Sequence, residues 1–303
     1  MVLARSFDSR FADRSALSYL PSLLRFPALV WANRYMVQNF LRRDLMSRVN
    51  GSLLGVGWLL LRPMALFVLY YLVFGMVLGP RVEVDGVSKA DPGYALYLFS
   101  GVIAFVALSE ATTVACSIIV DHGNLVKKVA FPSEVLLVHV ALVAQVIYAV
   151  GVVVVFVAGL WMGLLQPGAM QLALPLTMFL QFVLSLGIGM LLANLNVFAR
   201  DTAQLWGLLS QGWMFLSPVF LHPSQIQAVV DKGTIPAWTP GLVEALNPAW
   251  ALMQAQRLAL GAVDPKLGSF WPQFGIAAAW AFGLLVLGYT VFMSRKHKFA
   301  DLI

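Results

Sequence analysis

The chain has 303 residues, 60 % of them hydrophobic and only 11 % charged, with a formal net charge of +6. Soluble domains are about 25 % charged, and from Val135 to Ala199 there is no Asp, Glu, Lys or Arg at all, so a water-soluble fold is excluded. The positive charge is too unevenly spread to indicate nucleic-acid binding, and the single cysteine, Cys116, excludes an intrachain disulfide and reads as a small packing residue.

The first fifty residues carry Arg5, Arg10, Arg14, Arg25, Arg34, Arg42, Arg43 and Arg48 and no long apolar run, so no secretory signal is expected. Between Leu20 and Asn50, apolar residues (Leu23, Phe26, Val30, Tyr35, Val37, Phe40, Leu41, Leu45) recur among the arginines. This pattern predicts an amphipathic helix in the headgroup layer, with a juxtamembrane helix packed on protein as the alternative. The expected organisation is a cytoplasmic segment over 1–50 and a transmembrane domain over 51–303.

A bilayer core about 30 Å thick takes roughly 20 apolar residues per helix. Six spans are predicted: Leu53–Leu78, Tyr94–Val120, Val135–Leu165, Leu172–Phe198, Ala203–Leu221 and Phe270–Met293. Gly79-Pro80, Asp91-Pro92-Gly93, Phe131-Pro132, Gln166-Pro167-Gly168 and Arg200-Asp201 supply the breaks. From His222 to Ser269 the chain is too long and apolar for a plain loop. Ser224–Val230 and Trp250–Leu258 each read as short amphipathic helices, with Pro236, Pro240 and Pro248 between or beside them. A re-entrant helical hairpin at the outer face is expected, and Ile226, Val230, Pro248 and Trp250 are its candidate gate residues; a passive lid is the alternative. The fold class is therefore all-α integral membrane.

Fourteen of the twenty Lys and Arg residues (the eight N-terminal arginines, Lys127, Lys128, Arg200, Arg295, Lys296 and Lys298) fall on one side of these spans. Arg81, Lys89, Lys232, Arg257 and Lys266 fall on the other. Positive residues concentrate on the cytoplasmic side, which places both termini there.

No carboxylate pair, Ser-His-Asp set or Cys-His pair stands at catalytic spacing. His122, His139, His222 and His297 lie too far apart to suggest a metal site. Glu110 is the one acid well inside a span, and it admits two readings, a proton site or a carboxylate beside an aqueous vestibule. There is no G-x-x-x-x-G-K-[ST] loop, so ATP would have to be bound by another polypeptide. The loop Asp121–Glu134 offers such a partner a docking point, because it mixes Leu125, Val126, Val129 and Phe131 with Lys127-Lys128. The lysine pair would also serve simply to hold the topology.

Within that loop, Asn124-Leu125-Val126-Lys127-Lys128-Val129, then Phe131-Pro132, resembles the coupling segment of ABC exporter permeases for polysaccharides and polyol phosphates. Arg43-Asp44-Leu45-Met46-Ser47-Arg48, Gly51–Gly55, Trp58 and Pro63 resemble that family's approach to its first span. Leu195–Asp201 resembles its turn between spans four and five. Ser217–Phe220, Leu246-Asn247-Pro248 and Phe299-Ala300-Asp301 extend the likeness to about Asn39–Ile303; the N-terminus before Leu20 and Val49-Asn50 depart from it. The resemblance implies a homodimer of permeases carrying two copies of a separate ATPase, which binds ATP and Mg, with Asn124–Pro132 transmitting nucleotide-driven closure. It also implies a lipid-linked glycan as substrate, O-antigen or a related surface polysaccharide ahead of teichoic acid or capsule, and an inner-membrane location.

A pore for such a polymer must bind weakly and repeatedly, which aromatic faces with nearby hydroxyls do. Trp206, Trp213 and Phe220 recur seven apart with Ser210 and Ser217 on the same helix face, and Phe67, Tyr70, Tyr71 and Phe74 cluster in span one. These are the candidate channel lining; helix contacts and interfacial belts are the ordinary use of such stripes. Two other classes remain open. One is a proton-coupled carrier using Glu110. The other is a membrane-embedded transferase, for which Asp85, Asp91, Asp231 and Asp264 show no catalytic spacing.

Overall fold

The computed structural model describes residues 19–49, 55–77, 92–128, 131–262 and 267–303. Arg5, Arg10, Arg14, Gly51–Leu54, Gly79-Pro80, Arg81, Asp85, Lys89, Asp91, Val129, Asp264, Lys266 and the side chains of Pro63, Phe74 and Ser224-Gln225 lie outside the described residues.

Among the described residues the regular structure is helical, apart from one isolated antiparallel bridge between Leu165 and Ala262. The helices α1 (Leu20–Leu23), α2 (Phe26–Ala32) and α3 (Arg34–Val49) follow one another closely. Pro21 and Pro27 stand in the first turns of α1 and α2, where a missing N–H costs nothing. Then come α4 (Trp58–Tyr70), continued by a π-helical turn over Tyr71–Val77, α5 (Pro92–Asp121), the four-residue α6 (Gly123–Val126) and α7 (Glu134–Trp161). The chain goes on through α8 (Leu174–Phe198), α9 (Thr202–Phe215), α10 (Pro223–Asp231), α11 (Thr239–Leu246), α12 (Pro248–Leu260), α13 (Phe270–Arg295) and α14 (Phe299–Leu302).

Four helical stretches among these residues are long and apolar enough to cross a bilayer: Tyr94–Asp121, Glu134–Trp161, Ala169–Phe198 and Phe270–Leu302. Helix α8 is the centre, packing on α13, α5, α7 and α12. Its crossing with α13 is set by glycine: a Cβ on Gly288 would run into the Gly187 carbonyl, and one on Gly187 into the Leu284-Leu285 backbone. Small residues let apolar helices approach backbone to backbone where lipid supplies no hydrophobic drive. Helix α9 stops at Phe215, short of the predicted Leu221, and residues 216–220 continue as turns. Pro218 has no N–H to extend the ladder, and the Ser217 hydroxyl instead donates to the Trp213 carbonyl at 2.7 Å.

Two regions refine the sequence reading. The helices α1–α3 pack on protein along one stripe: Phe26 and Val37 are buried, Phe26 sits 5.3 Å from Tyr289, and Phe40 stacks on His139 at 5.2 Å. A second stripe, Leu24, Trp31, Tyr35 and Met46, is exposed, as are Arg25, Arg42 and Arg43. Among the described residues between α9 and α13 there are three helices where two were expected. Pro240, expected between two helices, sits in the first turn of α11, and α12 is buried throughout except at the half-buried Pro248 and Leu258, so it is not amphipathic in its packing.

Candidate functional site

The described part of the proposed coupling loop, residues 121–128 and 131–134, lies at one end of α5. Lys127 N–H donates to Gly123 O at 2.9 Å, Lys128 N–H to Leu125 O at 3.1 Å and Phe131 N–H to Lys128 O at 3.3 Å. Asn124, Lys127 and Lys128 are exposed, while Leu125, Val126, Phe131 and Pro132 are half-buried. The mixed loop thus sorts into an outward polar side and an inward apolar side. Its flanks are anchored. The edge of His122 lies 6.4 Å from Phe40, and Glu134, which opens α7, accepts from Lys296 Nζ at 2.6 Å.

The same end holds two further polar contacts from α3. Asp44 Oδ2 stands at hydrogen-bond distance, 3.2 Å, from His139 Nε2, and Arg48 forms an ion pair with Glu110. A cavity between α3, α5 and α7 is lined by Asp44, Arg48, Glu110, Val114 and Val140. Glu110 therefore has a cationic partner, which is what a carboxylate at this depth requires.

The aromatic residues singled out on α4 and α9 meet around α5. Trp206 Nε1–H donates to Thr112 Oγ1 at 3.1 Å, and its ring is 6.0 Å from Trp213. Trp213 meets Phe105 edge-on at 5.4 Å and donates to Asn247 Oδ1 at 2.8 Å. Phe220 contacts Tyr70 at 4.9 Å, and Tyr70 Oη lies 3.9 Å from Met214 Sδ. Phe67 joins at 4.7 Å from Phe99 and 5.8 Å from Tyr71. Both tryptophans are half-buried, whereas Ser210, Ser217 and Phe220 are buried. Ser210 donates to Gly207 O at 3.1 Å, so both hydroxyl protons are committed to their own helix. The result is one aromatic seam within the chain. The opposite face of α9 leaves Leu205, Leu208, Leu209, Phe215 and Leu216 exposed.

At the other end of α5, α12 is tied at each turn. Asn247 caps it by accepting from Ala249 N at 3.0 Å, and its amide donates to Leu216 O at 2.9 Å and Ser217 Oγ at 3.3 Å. Arg257 is buried, with no ion pair among the described residues. It donates to Ser100 Oγ (3.2 Å), Gln254 Oε1 (3.0 Å), Tyr97 O (2.9 Å) and Pro218 O (2.6 Å), and lies 3.5 Å over the Tyr97 ring. Gly261 closes α12 with φ 91°, a left-handed value that favours glycine, against Gln171, which donates to Gln166 O at 2.8 Å and Leu260 O at 3.2 Å. Of the candidate gate residues, Trp250 and Pro248 belong to this strut, Trp250 fully buried. Ile226 and Val230 are half-buried on α10. Burial pushes the Glu244 carboxyl on α11 above its ordinary pKa, and Trp280 holds that helix by donating to Ala245 O at 2.8 Å. Asn247 and Arg257 hold this region together although neither stands among the candidate site residues of the sequence. The Asn-Pro pair is a helix-start signature, and an arginine amid Trp250–Leu260 is conspicuous, so both left a signal.

No three His, Cys, Asp or Glu side chains come together as a metal site among the described residues, and Asp231 there is exposed, accepting from Gln227 at 2.9 Å.

The family model described as "ABC-2 type transporter" matches residues 35–231. The chain is similar to the "O-antigen export system permease protein RfbA" of Myxococcus xanthus, 25 % identical over 281 residues that span 93 % of this chain and 100 % of the relative. It is also similar to a protein of the same description from Klebsiella pneumoniae, 21 % identical over 263 residues, 86 % of this chain and 92 % of that one.

Proposed function

The chain belongs to the ABC-2 type transporter family, and from that premise we propose that it is the transmembrane subunit of an ATP-driven exporter of a lipid-linked O-antigen or related surface polysaccharide across the inner membrane. The observation that carries this reading is the end-to-end similarity to O-antigen export permeases. In this reading the six spans are α4 with its π turn, α5, α7, α8, α9 and α13. Both termini and α6 face the cytoplasm, and α10–α12 form a helical insertion at the outer mouth. The exposed stripe of α1–α3, flanked by exposed arginines, suits a headgroup layer.

Two copies of the chain and two of a separate ATPase make the working unit, with ATP and Mg held by the ATPase. The apolar side chains of α6 and its flanks, with Lys127 and Lys128 presented outward, suit insertion into a cleft of that partner. Closure of the ATPase then displaces α6 against α5 and α7. The seam from Trp206 to Phe220 with Phe67, Tyr70 and Tyr71 is the path along which sugar rings stack as the polymer slides. Half-buried indoles offer faces without deep pockets, which permits repeated weak binding. The pairing of Glu110 with Arg48 takes away the motive for a proton carrier.

The test is complementation of a producing cell that lacks its own permease. The chain with its ATPase restores surface polymer, and Trp206→Leu with Trp213→Leu lowers it about 10-fold while the complex remains assembled. Wild-type export from the double variant would remove the seam from the path. Failure of the unmodified chain to restore any surface glycan would contradict the substrate class.

A further inference from the structure

Helix α6 contains one glycine, and it faces a distant part of the chain. Gly123 is buried, and a Cβ there would collide with Ile303 Cγ2 while standing 3.7 Å from Ile303 Cβ, an ordinary contact distance. Ile303 is brought to this place by the turn Lys296–Lys298 and α14, which follow α13 directly. Phe299 is fully buried and meets Phe292 edge-on at 5.1 Å, and Ile303 N–H donates to Phe299 O at 3.2 Å. Val126, Phe131 and Ile303 pack against one buried cluster. The same segment holds the far end of the loop through Lys296 and Glu134, whose carboxylate is 1 % exposed. The loop is thus pinned at both ends by residues 296–303.

We propose that Lys296–Ile303 is a brace that sets the position of α6 and joins it to α13. Resting on the reading of α6 as the ATPase-coupling loop, this means that a displacement of α6 moves α13, and α8 through the Gly187–Gly288 crossing, as well as α5 and α7. A four-residue helix buries too little of itself to deliver a displacement alone. A close-packed contact transmits it because packed interiors compress very little. Glycine at 123 is what lets the brace sit directly on the helix backbone. Lys296, Phe299 and Ile303 are positioning residues in this scheme.

The test is a size swap in cells that lack their own permease and express this chain with its ATPase. The reading is surface polymer per assembled complex, with ATPase co-purification measured alongside. Ile303→Ala and Gly123→Ala each lower polymer per complex by about 5-fold. In the double variant the new methyl stands at contact distance from the shortened side chain, and export per complex returns to within about 2-fold of wild type. Single variants at the wild-type level, or a double no better than the worse single, overturn the brace. Singles that lose assembled complex but export normally per complex overturn it too, because the contact then only supports folding. Leu125→Asp separates the two layers. If it sheds the ATPase and the singles change nothing, the brace alone falls; if it keeps the ATPase, the coupling reading falls and takes the brace with it.

Discussion

Helices α12 and α6 lie at opposite ends of α5 and are held in opposite ways. Asn247, Arg257 and Gly261 fix α12 at its start, middle and end through directional hydrogen bonds to α5, α9 and the turn before α8. Helix α6 is held by a glycine against an isoleucine and by an ion pair at the flank of its loop. Apolar contacts tolerate small sliding, whereas a buried guanidinium cannot leave four acceptors without exposing unmet charge. On the proposed function, this difference suits the α12 end as a fixed frame and the α6 end as a lever.

The contrast is broken most severely at Arg257. Arg257→Met leaves the Tyr97 and Pro218 carbonyls without a donor that now reaches them, a loss of about 3 kcal/mol. Thermal unfolding of the detergent-solubilised chain should show a large drop in Tm. Arg257→Lys recovers little, since one ammonium cannot span acceptors arranged for a fork. An unchanged Tm in Arg257→Met would mean that α12 is not the fixed element.

Between the two ends, Gly288→Ala drives a methyl into the Gly187 carbonyl and forces α13 away from α8. About 2 kcal/mol is expected from such overpacking, read in the same assay. A wild-type Tm would show that the crossing yields, and that it cannot carry motion from one end to the other. The smallest effect is expected at the α6 end. Glu110→Gln removes an ion pair whose arginine is 35 % exposed, so solvent limits the cost to about 1 kcal/mol or less. Export persists. Loss of export with intact assembly would revive the proton-carrier reading.

The four long apolar helices were legible because their runs exceed what any soluble core needs, and their ends coincide with proline, glycine or charge. The mixture of lysines and apolar residues at Asn124–Pro132 reappears as exposed Asn124, Lys127 and Lys128 beside half-buried Leu125, Val126 and Phe131. Helix α12 was not legible. Gln254, Gln256 and Arg257 look like a solvated face in a local pattern, yet all three are buried, because their partners come from elsewhere: Gln256 donates to Gln181 at 2.5 Å and Arg257 to Tyr97 and Pro218. Such pairings depend on which helices become neighbours, and periodicity does not contain that. The aromatic clusters on α4 and α9 were each visible, but their meeting around Phe99 and Phe105 depends on α5 lying between them. The N-terminal helices were legible from an apolar stripe among arginines, but that Phe26 and Val37 would be the buried members depends on which helices they meet.

The most direct measurement is co-purification of the chain with its ATPase, comparing wild type with the double variant Leu125→Asp, Phe131→Asp. Both side chains are half-buried at the loop. A stable, ATP-hydrolysing complex in the wild type that is lost in the variant, with the variant chain still folded in the membrane, is the predicted result. A variant that holds the ATPase as well as the wild type does would contradict coupling through α6.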